Sequence, residues 1–62
     1  MKGIWRNNKT GKLYIVTGMA FDATNDREKE IVVKYEDAEL DFVRELKEFT
    51  EKFTAVELIK EQ

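Results

Sequence analysis

Short apolar runs separated by polar turns are what most constrain this chain. Ile4-Trp5 is followed by the turn cluster Asn7-Asn8-Lys9-Thr10-Gly11. Then come Tyr14-Ile15-Val16-Thr17-Gly18-Met19-Ala20, Ile31-Val32-Val33-Lys34-Tyr35, and Phe42-Val43-Arg44-Glu45-Leu46 with Phe49. Short runs rich in β-branched and aromatic residues, bounded by turn residues, read as strands of a small sheet. No Pro/Gly-rich linker, repeat or low-complexity tract divides the chain, so 1–62 is read as a single small domain.

The reading places strands at about 3–6, 12–20, 29–35, 40–45 and 51–57, with a short helical turn near 46–50. Asn7 to Gly11 supplies a hairpin turn, since Asn and Gly tolerate the positive φ it needs. Alternation puts Leu13, Ile15 and Thr17 on one face, with Tyr14, Val16 and Gly18 on the other. Gly18 inside its run suggests a bulge or bend. Asp22 to Glu28 is polar and aperiodic and reads as a loop. The expected core is Ile4, Leu13, Ile15, Val32, Phe42, Leu46 and Phe49, with Trp5 at its edge.

One segment reads two ways. Phe42, Leu46, Phe49 and Phe53 are spaced 4, 3 and 4 apart, which is the stripe of an amphipathic helix. Thr54 with Glu57 also resembles a capping box. The alternative fold is therefore α+β, with three strands followed by a helix over 38–53.

Several motifs, taken in order, resemble a known family. They are Gly3-x-Trp5, Thr10-Gly11-x-x-Tyr14-x-Val16-x-Gly18-x-Ala20, Val32-Val33-x-Tyr35 and Phe42-Val43-Arg44-x-Leu46-x-x-Phe49. They are similar to the domain-of-unknown-function 1653 family of short bacterial and phage proteins, over about residues 3–53. The resemblance implies a mainly β, SH3-like barrel and carries no established mechanism. The chain departs from the family pattern at Phe42, where Trp is usual, at Glu45, where Pro is usual, and at Phe21-Asp22 after Ala20. Losing that Pro removes a helix breaker and keeps the 38–53 helix open.

The chain has no Cys and no His, which removes disulfides and the ordinary zinc sites. A domain of this size buries only about 60% of the surface its unfolded chain exposes. Support must then come from an economical core, a dimer interface or a bound partner. Absence of Cys, of a signal-peptide stretch and of a membrane span suits a cytoplasmic protein away from the membrane.

The net charge of −2 argues against nonspecific nucleic-acid binding. Its distribution is uneven. Residues 1–20 hold Lys2, Arg6, Lys9 and Lys12 and no acid, while all 13 acids follow from Asp22 onward. Lys9 and Lys12 on the first hairpin are candidates for a phosphate or anion contact, set against the plainer role of keeping a hairpin soluble.

No nucleophile–base pair stands out, and the single Gly-Lys is far from a phosphate loop. The acids Asp22, Asp26, Glu28 and Glu30 have no metal-loop spacing. No catalytic residue, metal or cofactor is therefore expected, and the chain reads as a non-enzyme. The aromatic set with Arg44 is the stronger signal. Tyr14 and Tyr35 are expected to be partly exposed, because a phenol wants its hydroxyl within reach of water or a partner. Arg44, flanked by apolar residues, suits a carboxylate or phosphate, or an internal bridge to Glu30 or Glu36.

Tyr14, Tyr35 and Arg44 are accordingly the expected partner-binding residues. The expected function is a small interaction module, such as a phage or bacterial accessory protein that binds a host protein, with homodimerisation. The alternative is a small-ligand, nucleotide-like binder with its site at a dimer seam.

Overall fold

The computed structural model describes residues 1–23 and 30–60. The expected acidic loop, with Asp26 and Glu28, lies largely outside the described residues. Among these residues, five strands and one short helix follow in chain order. They are β1 (Gly3–Asn7), β2 (Leu13–Phe21), β3 (Ile31–Glu36), β4 (Asp41–Glu45), α1 (Leu46–Lys52) and β5 (Phe53–Leu58). All neighbours are antiparallel, in the order β4-β3-β2-β1-β5. This is a mainly β, SH3-like arrangement, built as one open sheet.

The turns form where side chains substitute for missing backbone partners. Asn7 Oδ1 accepts from the Lys9 and Thr10 amides at 2.9 and 3.0 Å. Gly11 closes this turn at φ +77°, a conformation costly for any residue with a Cβ. Asp37 repeats the device, its Oδ1 accepting from the Glu39 and Leu40 amides at 2.8 Å each. At the other end, Gly3 has φ +145°, and a Cβ there would fall onto the Glu57 carbonyl oxygen of β5. The β1–β5 pairing therefore depends on a bare backbone at Gly3.

The sheet is strongly curled. β3 and β5 are three strands apart, which in a flat sheet is roughly 14 Å. Yet the Tyr35 and Phe53 rings have centroids 5.3 Å apart. A register shift between Val16 and Gly18 marks the bulge expected near Gly18. A second shift interrupts the β1–β5 ladder between Ile4 and Trp5. Such bulges increase local twist and bend the strand.

The 38–53 helix does not form, because 41–45 is strand β4. The helix is confined to 46–52, slightly longer than the expected turn at 46–50. Glu48 lies in its first turn and Lys52 in its last, which suits the helix dipole. The helical spacing misled for a physical reason. Phe42 and Leu46 pack against the core, and Phe49 and Phe53 are in it, but the first and last project from strands. Thr54 and Glu57 are exposed on β5, so they form no capping box.

The core is Trp5, Val16, Val33, Tyr35, Phe49 and Phe53, with Met1, Tyr14, Phe42 and Leu46 packed against it. It is an aromatic stack. Phe49 and Phe53 lie face to face at 4.2 Å, and Trp5 meets Phe49 edge-on at 5.2 Å. Offset and edge-on pairs of this kind add to the burial energy of the rings. The Trp5 indole N–H is satisfied by the Met1 carbonyl at 3.0 Å. Trp5 is thus inside the core rather than at its edge.

Four expected core residues are corrected. Ile4 is half-buried on the other face of the sheet and lies outside the core. Leu13 and Ile15 are 54% and 50% exposed. Val32 is only half-buried, whereas its neighbour Val33 is fully buried. The expected face of β2 and β3 was off by one residue, which moves every side chain to the opposite side.

Candidate functional site

Tyr14, Tyr35 and Arg44 come together on the inner side of the sheet. Tyr14 on β2 and Tyr35 on β3 meet edge-on at 5.4 Å, and Phe42 stacks on Tyr35 at 5.2 Å. Register explains the meeting, since Tyr35 lies between Val16 on β2 and Phe42 on β4. Arg44, two residues beyond Phe42, shares its face. Arg44 Nε donates to the Tyr35 hydroxyl at 3.3 Å, and its Nη1 donates to Glu48 Oε1 at 2.6 Å. The guanidinium also lies 6.0 Å from the Phe53 ring centre.

This arrangement corrects two expectations. Tyr35 is buried rather than partly exposed, and its hydroxyl accepts from Arg44. The internal partner of Arg44 is Glu48, not Glu30 or Glu36. Both contacts, the Tyr35 hydroxyl first, raise the guanidinium's pKa further. Tyr14 is half-buried, as a strand phenol near water was expected to be.

Lys9 and Lys12 separate. Lys9 lines a groove of about 380 Å³ together with Arg44 and Lys52, between the first turn and α1. Lys12 turns away from that groove. Its ammonium donates to Asp37 Oδ2 at 2.7 Å and sits 5.2 Å over the Tyr14 ring. Lys12, and then the Glu39 and Leu40 amides, hold the Asp37 carboxyl down to about 2. The pair clamps the first hairpin to the β3–β4 connection.

The feature missed in the sequence is the outer face of the sheet. Glu57, Ile4, Ile15, Glu36 and Asp41 form one row across all five strands, each opposite the next. Leu13 adds to the apolar middle of this row, opposite Arg6. Ile4, Leu13 and Ile15 line a shallow trough of about 600 Å³ bordered by Glu36 and Asp37. Val43, 66% exposed, is on the same face at the β4 edge, opposite Lys34 and apart from the trough. The signal was present in the charges. Arg6, Lys34 and Glu36 share a face with Ile4, Leu13, Ile15 and Val32, and charged residues mark the solvent side.

Among the described residues, no helix is long and apolar enough to cross a membrane. Comparison of the chain with protein-family models, curated proteins and solved structures finds no match.

Proposed function

We propose that this chain is a small non-catalytic interaction module, akin to the domain-of-unknown-function 1653 proteins through its strand motifs, that binds a partner protein. The observation that carries this reading is the outer-face trough lined by Ile4, Leu13 and Ile15. A marginal domain leaves large aliphatic side chains in water at a solubility cost, and contiguous apolar patches mark contact surfaces. The inner aromatic cluster supplies rigidity. In this reading Tyr35 acts indirectly, by holding Arg44, while Tyr14 and Arg44 remain partly reachable.

The test is a double variant, Leu13→Ser with Ile15→Ser. Its melting temperature should fall less than that of a core deletion such as Phe49→Ala, because each side chain is about half exposed. A partner captured by the wild-type protein from its native host should be lost. A double variant that keeps its partner would overturn the assignment of this face.

Homodimerisation forms part of the same proposal, at the free edge of β5. That strand pairs only with β1 among the described residues, and Val56, Leu58 and Ile59 are exposed along its end. An unpaired edge with aliphatic side chains invites another strand. Sedimentation at several concentrations should show a dimer weakened by Leu58→Lys, and a strict monomer at high concentration would contradict it.

A further inference from the structure

We propose that the outer face recognises an apolar segment of another protein whose apolar residues are flanked by Lys or Arg. This rests on the reading of that face as the binding surface, and it specifies the partner's chemistry.

The argument starts from the row Glu57–Ile4–Ile15–Glu36–Asp41. Its middle is aliphatic and its two ends are acidic. Glu36 and Asp41 are directly opposite each other on β3 and β4. Like charges in that position destabilise a strand pair. Their closeness raises the Glu36 carboxyl above its ordinary range, chiefly through a hydrogen bond with Asp41. Glu45, opposite Val32, adds a further acid to the same face.

The cations on this face do not relieve the pair. Arg6 and Lys34 each lie in a neighbouring row, opposite Leu13 and Val43. Lys12 is committed to Asp37. The ion pairs Lys12–Asp37 and Arg44–Glu48 do not reach Glu36, Asp41 or Glu57. A partner that brings cations to both ends of an apolar centre matches this surface in shape and charge. A second copy matches the row less well, because laying the acidic ends of two such rows together would bring acids against acids.

The probes are three synthetic peptides with the same Val-Leu-Val centre. One carries lysines on both flanks, one serines and one glutamates. Binding is followed by methyl NMR of the full chain. The lysine peptide should shift the methyls of Ile4, Leu13 and Ile15 and bind about tenfold tighter than the serine peptide, with the advantage shrinking in salt. The double variant Glu36→Gln with Asp41→Asn should melt no lower than the wild type, since it relieves the like-charge pair, and lose that advantage.

Equal binding of all three peptides at these methyls would overturn the cationic partner and leave the face as the binding surface. Shifts confined to other residues, or no shifts at millimolar peptide, would overturn both. Concentration-dependent shifts of the same methyls without peptide would assign the face to a second copy and overturn the proposal.

Discussion

The two faces of this sheet use apolar residues in opposite ways. The inner face collects rings: Trp5, Tyr14, Tyr35, Phe42 and Phe53, closed by Phe49 from α1. The outer face carries aliphatic side chains interspersed with charge: Ile4, Leu13, Ile15 and Val43 among Arg6, Lys34, Glu36 and Asp41. Both faces are apolar enough to look like a core. Volume and charge separate them. A large ring buries more surface than an aliphatic chain, and a curled sheet lets rings from strands far apart in order stack together. The smaller face is left in water, where its charges are cheap to solvate and its aliphatic side chains are available for contact.

The largest effect that sharpens this contrast is at Phe49. It is fully buried and touches Trp5, Tyr35 and Phe53. Phe49→Ala should cost about 3–5 kcal/mol, enough to unfold most of so small a domain. Denaturant melts followed by Trp5 fluorescence would show it. Unchanged melting would place that ring outside the core.

Next comes the pair of adjacent valines on β3. Val33→Ala removes fully buried methyls and should cost about 2 kcal/mol, from roughly 0.8 per buried carbon plus the cavity left behind. Val32→Ala, on the half-exposed side, should cost clearly less. Equal costs would erase the distinction between the faces.

Tyr35→Phe is a smaller probe of the inner face. It keeps the ring stack and removes only the acceptor for Arg44 Nε. The expected loss is about 0.5–1.5 kcal/mol. A neutral result would mean that Glu48 alone positions the guanidinium.

The smallest effect concerns pH. Asp37 titrates near 2 when folded, against an ordinary value of 3.8. Its contribution is therefore present above that ordinary value and lost as pH falls toward 2. Glu36 is shifted the other way, above 4.5. Its protonated form favours the fold, so that contribution is present below 4.5 and is lost as pH rises through its raised value. Lys12→Gln should weaken the acid-side loss, and Glu36→Gln should remove the decline on the neutral side. Melting curves across pH would read both.

Much of this architecture was legible in the sequence, because the cues are local. Asn7 to Gly11 and Asp37 to Leu40 encode their turns through their own side chains and a glycine. The strand runs between them could hardly be helices, and the bulge near Gly18 followed from one small residue. Which face turned inward was harder, because Leu13-Tyr14-Ile15-Val16 is apolar on both sides. The deciding information lay one strand away, in Lys34 and Glu36 on β3 and Arg6 on β1. The clustering of Tyr14, Tyr35 and Arg44 was partly legible for the same reason. Tyr14, Tyr35 and Arg44 do converge, but their convergence with Phe42 and Phe53 depends on curling, which no single run encodes. Arg44's partner Glu48 sits four residues on, across the strand-to-helix boundary, where neither strand nor helix spacing applies.

The central claim is that Tyr14, Val16, Val33 and Tyr35 face in while Leu13, Ile15 and Val43 face out. Its most direct test is methyl NMR with a soluble paramagnetic agent. The Leu13, Ile15 and Val43 methyls should relax strongly and those of Val16 and Val33 hardly at all. Protected Leu13 and Ile15 methyls beside exposed Val16 and Val33 methyls would contradict the account.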